Sequence, residues 1–208
     1  MPRKYDMSKR ALAREETRQR IVAATARLHG EHGVLGTTWP AIAKEADVSV
    51  ATVYAHFPSL DELLPACGAH VMERVRPPRP ESASEIVDGA DSLEERLERV
   101  ADELYDFYER GGSHIEVDVR ERRLPGMREW ETYLADTVTA FVREALAPGR
   151  ADTHTVQLVS ALFDLSTFKS FRNRGVAPRT AARTVARAAA ALVDDTERPR
   201  QPTSKGKR

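Results

Sequence analysis

Two short helical segments joined by a tight polar turn place the strongest constraint on the fold of this chain. Residues 37–46 begin with two threonines that can cap a helix, and residues 47–49 can form a turn. Ser49 can cap a second helix, which Pro58 ends because proline does not continue a helix. A helix, a short turn and a second helix predict a helix-turn-helix arrangement.

Helical periodicity continues on both sides of this arrangement, and no segment has the pattern of a strand. A preceding helix is predicted over residues 11–29, with Gly30 and Gly33 ending it. Ser59 and Ser92 are each followed three positions later by glutamate, which is the pattern of a capping box. We predict further helices over residues 59–74, 93–110, 127–145, 153–173 and 178–193.

The predicted fold class is therefore all-α, with an amino-terminal three-helix helix-turn-helix domain followed by a larger helical domain. Residues 76–80 contain three prolines and are expected to form a loop. We place the domain boundaries at residues 1–58 and 59–195. Residues 196–208 are polar and basic and are expected to be a disordered tail.

Basic residues are concentrated at the amino end, although the net charge of the chain is zero. Residues 1–27 carry eight Lys and Arg residues against three acids, and residues 81–112 carry eleven acids against three arginines. A basic amino end on a neutral or acidic body is the asymmetry of a nucleic-acid-binding protein.

The second helix of the arrangement lacks the side chains that usually read DNA bases. Residues 50–57 contain no Arg, Lys, Asn or Gln, which make the bidentate contacts with base edges. Val50, Ala51 and Ala55 suit thymine methyl groups, so we expect reading by methyl contacts and DNA shape. The missing charge would come from a basic arm that follows the DNA backbone or enters a minor groove, formed by Arg3, Lys4, Lys9 and Arg10.

Residues 17–64 resemble the amino-terminal domain of the tetracycline-repressor (TetR) family of bacterial regulators. Three positions depart from the family pattern: His29 replaces an aromatic residue, Asp47 a glycine and Leu60 a lysine. The residues that carry the resemblance are Ile21, Ala24, Gly33, Thr37, Thr38, Ile42, Ala43, Ala46, Val48, Ser49, Thr52, Tyr54, His56, Phe57 and Leu63.

The resemblance implies a homodimeric, ligand-responsive transcriptional regulator, most often a repressor that binds a pseudo-palindromic double-stranded DNA operator. It also implies that the residues at positions 52, 54 and 56 hold phosphates, while the first turn of the helix meets the bases. The predicted DNA-binding residues, besides the basic arm, are Thr38, Lys44, Ser49, Val50, Ala51, Thr52, Tyr54 and His56.

The last two helices are predicted to form the homodimer interface. Residues 153–173 are apolar on two sides, and residues 178–193 are rich in alanine, which lets helices approach closely. The alternative is that both helices belong to a bundle within one chain. The predicted interface residues are Val159, Phe163, Ala182, Ala186 and Ala189.

A small-molecule ligand, largely apolar or aromatic, is predicted between the helices over residues 93–110 and 127–145. Both helices have an apolar face, and binding pockets are mostly apolar with a few polar groups that fix orientation. The alternative is that the same aromatic residues are simply the core of the bundle. The candidate ligand-binding residues are Leu104, Phe107, Tyr108, His114, Trp130, Tyr133, Leu134, Phe141 and Asp164.

Other kinds of function have little support in the sequence. GxSxG, phosphate-loop and HExxH motifs are absent, so we expect no enzyme and no cofactor. Cys67 is the single cysteine, and His29, Glu31 and His32 make a poor ligand set, so we expect no metal. Without a long apolar run or a secretory signal, a cytoplasmic protein with no membrane partner is expected. Two alternatives stay open: control by a protein partner, and a helical enzyme.

Overall fold

A computed structural model describes residues 7–147, residue 149 and residues 152–197. These residues form helices and connecting turns with no strand, which confirms the predicted all-α fold class. The chain divides into two compact units. The first consists of Met1–Pro77 and Gly111–Glu131, and the second of Pro78–Arg110 and Thr132–Arg208.

The first unit contains the helix-turn-helix and the helices before and after it. Helix α1 packs against α4 and α2, and α2 packs against α3. The helices are α1 (Met7–His32), α2 (Trp39–Glu45), α3 (Val50–His56) and α4 (Leu60–Val75). Their apolar faces form one core made of Ile21, Val22, Ala24, Leu28, Ile42, Ala43, Ala46, Val53, Phe57 and Leu63.

The caps predicted on both sides of the tight turn are present. The Thr38 hydroxyl accepts a hydrogen bond from the backbone N–H of Ala41 at 3.3 Å, and the Ser49 hydroxyl accepts one from that of Thr52 at 3.0 Å. Asp47 lies between the two helices with φ of 53°, the left-handed region that glycine adopts most easily. Aspartate is one of the few other residues that tolerate it, which explains how Asp47 serves in this turn.

Helix α1 continues past the glycine that was expected to end it. Gly30 is helical, and the helix ends at His32 before Gly33, whose φ is 74°. Gly30 is a position of close approach, because a Cβ there would lie 2.7 Å from Nε2 of His114. The predicted stop at Gly30 was therefore wrong, since glycine there makes room for a side chain distant in sequence.

A buried carboxylate connects the sequence-distant segment Gly111–Glu131 to the rest of the first unit. Glu121 is 5% exposed, and its Oε1 accepts a hydrogen bond from the backbone N–H of Leu35 at 3.0 Å. Leu35 lies in the connection between α1 and α2. The bond therefore holds this segment against the turn that leads into the helix-turn-helix.

The second unit is built around two long helices and three later ones. A short helix comes first, and α10 packs against both α8 and α9. Its helices are α5 (Ala83–Val87), α6 (Leu93–Gly111), α7 (Pro125–Leu146), α8 (Thr153–Leu162), α9 (Leu165–Arg172) and α10 (Pro178–Glu197). Helix α7 contributes its residues up to Glu131 to the first unit. Turns of 3-10 helix cover Pro80–Ser82 and Gly112–Ile115.

The single helix predicted over residues 153–173 is in fact two helices. The Asp164 carboxylate caps α9 by accepting a hydrogen bond from the backbone N–H of Thr167 at 2.7 Å. The hydroxyls of Tyr105 and Tyr108 donate to the carbonyls of Leu162 and Phe163, at 3.3 and 3.1 Å. These bonds satisfy carbonyl groups that the end of α8 leaves without helical partners, so α6 stabilises the break.

Of the two predicted capping boxes, one is partly present and one is absent. The Ser92 hydroxyl accepts from the backbone N–H of Glu95 at 3.1 Å, while the Glu95 carboxylate accepts from that of Asp91 at 3.0 Å. The carboxylate thus reaches one residue further back than a capping box requires. Ser59 makes no side-chain cap bond, so the box predicted for α4 was wrong.

The predicted domain boundaries stay a prediction, because compactness alone does not show which segments act as one domain. The structure groups α4 and the segment Gly111–Glu131 with the helix-turn-helix, beyond the boundary expected at residue 58. Helix α10 includes two residues of the expected tail, and residues 198–208 lie outside the described residues.

In the part of the chain that the structure describes, no helix combines the length and apolar character needed to cross a bilayer.

Removing the Asp164 cap should lower stability. We expect Asp164→Ala to reduce the free energy of unfolding by about 1 kcal/mol, the usual contribution of an N-cap. Asp164→Asn keeps an oxygen that can accept the same bond and should lose a few tenths of a kcal/mol at most. Urea unfolding followed by circular dichroism measures both. An alanine variant as stable as the wild type would show that this cap does not stabilise the break.

Candidate nucleic-acid interface

Helix α3 buries one face and exposes the other. Val53 and Phe57, four residues apart, are 0% and 2% exposed and enter the core of the first unit. Val50 and Tyr54 have the same spacing on the adjacent side of the helix and are 37% and 46% exposed. Ala51 is exposed as well. The face predicted to meet DNA is therefore the free face of this helix.

The first turn of α3 presents a pair of hydroxyl groups. Oγ of Ser49 and Oγ1 of Thr52 are 2.8 Å apart, so one donates a hydrogen bond to the other. Ser49 also accepts the bond that caps the helix. Because a hydroxyl has one donor and two acceptor positions, this pair keeps further hydrogen-bonding capacity at its surface. Both residues are at the predicted DNA-contacting turn.

An aromatic pair joins α2 to the exposed face of α3. The rings of Trp39 and Tyr54 are stacked, with centroids 4.8 Å apart and planes 25° from parallel. Trp39 is partly buried and packs against the core of the first unit. Trp39 was not predicted from the sequence, although an aromatic residue at the start of a short helix was the available signal.

A basic cluster lies where the end of α3 meets α1. The pKa of His56 is lowered from its usual value, first by partial burial and then by the positive charges of Arg14 and Arg18. The Arg18 guanidinium lies over the ring of Phe57, 5.0 Å from its centroid, which is a cation–π arrangement. Arg14 and Arg18 were counted only as part of the basic amino end, and the fold brings them to His56.

The remaining predicted DNA-binding residues are distributed over the surface of the first unit. Thr38 is exposed, with its hydroxyl engaged as the cap of α2, and Lys44 is exposed in the last turn of that helix. Lys9 and Arg10 are exposed near the start of α1. Arg3 and Lys4 lie outside the described residues. The assignment of these residues to DNA stays a prediction.

The predicted ligand-binding residues fall into two groups. Leu104, Phe107, Tyr108 and Phe141 are buried in the second unit, where Tyr133 and Leu134 are partly buried. His114 and Trp130 belong to the first unit instead.

Several of the predicted ligand-binding residues use their polar groups in hydrogen bonds within the protein. The Trp130 indole donates to the carbonyl of Ile115 at 3.0 Å, and the Tyr133 hydroxyl donates to that of Pro78 at 2.9 Å. Tyr108 and Asp164 are engaged at the break between α8 and α9. Burial, reinforced by the charge of Asp164, raises the pKa of Tyr108 far above its usual value. These groups act structurally here, and the ligand site stays a prediction.

The predicted dimer residues need revision, because they are buried within a single chain. Each is fully buried, and the helices that carry them pack against one another. Such side chains have no surface left for a second copy to cover. An interface on these helices would instead use exposed neighbours such as Leu158, which is 38% exposed. The five revised residues are Val159, Phe163, Ala182, Ala186 and Ala189.

The first unit contains a partly buried, uncharged histidine. Nδ1 of His29 lies 3.5 Å from Sγ of Cys67. Burial, with a contribution from His114, lowers the pKa of His29 to about 4, and burial raises that of Cys67 to about 11. Both are therefore neutral at pH 7, and His29 takes the position of an apolar aromatic residue. Among the described residues, no group of three or more His, Cys, Asp or Glu could hold a metal ion.

Comparison with known proteins finds a family match within the first unit. Residues 21–67 match the family described as bacterial regulatory proteins, tetR family. That match covers α2 and α3 completely and most of the core around them. A comparison with curated protein sequences gave no significant match.

Solved structures show the same fold over most of the chain. The multidrug binding protein EbrR, in complex with imidazole, has 24% identity and a TM-score of 0.53, covering 83% of this chain and 93% of EbrR. A TetR transcription regulator from Haloarcula marismortui has 22% identity and a TM-score of 0.54, covering 87% and 98%. A transcriptional regulator from Rhodococcus sp. Rha1 has 16% identity and a TM-score of 0.57, covering 86% and 96%.

The predicted resemblance to the tetracycline-repressor family is confirmed by the sequence of residues 21–67, and the structural matches agree with it in fold. The chain carries a tetR-family DNA-binding domain within an all-helical fold like that of these regulators.

The partly buried His29 should make stability depend on pH. The folded-state pKa of His29 is about 4, below the usual 6.5, so the unfolded chain binds the proton first as the pH falls. The contribution of neutral His29 is complete above about pH 6.5 and is lost towards pH 4, by about 1 kcal/mol per pH unit.

Urea unfolding between pH 7 and 4 tests this dependence. His29→Phe should flatten it, while the same change at exposed His32 should leave it as in the wild type. Equal pH dependence in all three proteins would contradict the assignment to His29.

Proposed function

We propose that this protein, which carries a tetR-family DNA-binding domain, is a transcriptional regulator that binds a pseudo-palindromic operator as a homodimer. The observation that carries the proposal is the exposed face of α3, which continues into the basic cluster of His56, Arg14 and Arg18. A free helix face beside concentrated positive charge is what the major groove and its phosphates require.

In this proposal α3 lies in the major groove and reads bases through its first turn. Val50 and Ala51 are exposed and apolar, so they can contact thymine methyl groups. Tyr54 and His56 hold phosphates on either side of that turn, and phosphate contacts fix the register in which the helix reads. Arg14 and Arg18 add long-range attraction that weakens with salt.

The basic arm supplies the remaining attraction to the DNA backbone. Leu60 is at a position where the family has a lysine, so one phosphate contact is missing at the start of α4. Lys9 and Arg10 in α1, with Arg3 and Lys4 before it, would make up for it along the backbone or in a minor groove.

Dimer formation is proposed on the exposed surface of the last helices. Two copies related by a two-fold axis would place their α3 helices in successive major grooves, which explains why the operator would be a pseudo-palindrome. Leu158 in α8 is the large apolar side chain that this surface exposes, so it is the first candidate for the contact.

The second unit is proposed to control DNA binding through a small apolar or aromatic ligand. EbrR, which has the same fold, is a multidrug binding protein solved with imidazole. Helices α6 and α7 each contribute residues to both units, so a ligand between them could change the spacing of the two α3 helices. The protein would then leave the operator, and its action would be repression.

A second candidate is a regulator of the same fold that responds to a protein partner. The observation that favours it is the engagement of Tyr108, Tyr133 and Asp164 in hydrogen bonds within the chain. A thermal-shift screen of apolar compounds, followed by gel-shift with the hits, separates the two. A compound that raises the melting temperature and releases DNA supports the ligand, and a screen without binders supports the partner.

DNA binding should take up a proton at His56. In the free protein its pKa is lowered by burial, Arg14 and Arg18, and a bound phosphate would raise it. Affinity should therefore increase as the pH falls through the higher pKa of His56 in the bound state towards its lowered pKa in the free protein.

Fluorescence anisotropy with labelled operator, at constant salt from pH 8 to 5.5, measures this effect. His56→Gln should bind more weakly and lose the pH dependence, and its salt slope should fall by about one at low pH. A wild-type affinity that does not change with pH, or a His56→Gln variant with full affinity, would show that His56 does not contact a phosphate.

Charge on the exposed surface of α8 should separate the dimer. Leu158→Arg places an unpaired guanidinium in an apolar contact, so the protein should sediment as a monomer and bind the operator at least tenfold more weakly. Gln157→Arg at the neighbouring exposed position is the matched control and should remain a dimer. If the Leu158→Arg and Gln157→Arg proteins both sediment as dimers, the interface lies on another surface.

A further inference from the structure

We infer that Trp39 is a positioning residue for DNA binding, which holds the Tyr54 hydroxyl at a phosphate of the backbone. The inference rests on the proposed function and adds a residue of α2 to the reading helix α3. Its basis is the stacked pair, with centroids 4.8 Å apart and planes 25° from parallel. Offset stacking of this kind is the preferred geometry of aromatic pairs.

Trp39 is also held in place by the core of the first unit. It is the first residue of α2, directly after Thr38, whose hydroxyl caps the helix. The side chain is partly buried and packs against the core formed by residues such as Ile42 and Val53. A partly buried side chain that packs against a core is a rigid platform for a ring stacked on it.

Tyr54 has little else to hold it. The residues three and four positions earlier on α3 are Ala51 and Val50, both exposed, so the preceding turn of its own helix offers only small or exposed neighbours. Its side chain is 46% exposed, and its hydroxyl has no hydrogen-bond partner among the described residues. A free phenol would lose rotational freedom on binding a phosphate, and the stack removes that freedom beforehand.

The contact made by this pair is neutral and therefore independent of the basic cluster. The phenol donates an O–H to a phosphate oxygen, whereas His56, Arg14 and Arg18 contribute charge. Losing the pair should weaken binding to every DNA sequence by a similar factor and leave the salt slope unchanged. A direct contact of the Trp39 indole with DNA is the competing explanation.

A double-mutant cycle tests the inference. The variants are Trp39→Leu, Tyr54→Phe and the double variant, with Trp39→Phe as the conservative change. Tyr54→Phe is chosen because it removes the hydroxyl while a ring remains in the stack. Dissociation constants for operator and for non-specific duplex DNA are measured at two salt concentrations, together with urea unfolding of each variant.

Trp39→Leu and Tyr54→Phe should each weaken DNA binding about three- to tenfold. In the Tyr54→Phe background, Trp39→Leu should have no further effect on DNA affinity, because no hydroxyl remains to be positioned. Trp39→Leu should lower the free energy of unfolding equally in the wild type and in Tyr54→Phe, since residue 54 has an aromatic ring in both proteins. Trp39→Phe should regain most of the affinity.

Three results would overturn the inference. Independent losses that multiply in the double variant would mean that Trp39 contacts DNA itself or acts through general stability. A folded Trp39→Leu variant with wild-type affinity would mean that the stack does not matter for binding. If Trp39→Leu does not fold, a folded Trp39→Phe variant that binds as weakly as Tyr54→Phe would also contradict it.

A different result would contradict the proposed function itself. If the wild type binds no duplex DNA at all, the proposed function is wrong. If the wild type binds and Tyr54→Phe binds equally well, DNA binding stands and only the phosphate contact of Tyr54, with the role of Trp39, is lost.

Discussion

The rest of the first unit depends on the burial of Val53 and Phe57 beneath α3. A helix of seven residues is not stable alone in water, so α3 exists because its apolar face is packed against α1 and α2. That packing decides which residues face outward, since Val50 and Tyr54 stay exposed beside the buried positions. Trp39 packs against the same core. The core of the first unit therefore both orients the exposed face of α3 and supports Tyr54 through Trp39.

Charge is added to this apolar framework from another part of the sequence. Arg18 stacks on the ring of Phe57, which is itself part of the core, and Arg14 lies near His56. The basic cluster thus forms only when α1 and α3 pack together, so folding and DNA attraction are coupled. Glu121 makes a comparable connection from the segment Gly111–Glu131 by bonding to the backbone at Leu35.

Local features were predictable from the sequence, and features that depend on distant contacts were not. The caps at Thr38 and Ser49 and the left-handed turn at Asp47 act within a few residues, and the structure has all three. The break before α9 was missed because apolar residues continue through it and its stabilising tyrosines lie on α6. The alanine-rich face of α10 was predicted to lie in a dimer interface because small residues let helices approach closely. Small residues pack equally well within one chain, so the sequence could not distinguish the two. The stack of Trp39 on Tyr54 joins two helices, so no spacing within either one indicates it.

Selection of binding sites from random duplex DNA tests the central claim most directly. The claim is that the exposed face of α3 reads an operator in two symmetric half-sites, using methyl contacts at Val50 and Ala51. The selected pool should converge on a pseudo-palindrome with half-site centres about one helical turn, or a multiple of it, apart and with thymines in each half. A pool that shows no common sequence after repeated rounds, although the protein is folded, would contradict sequence-specific regulation by this helix.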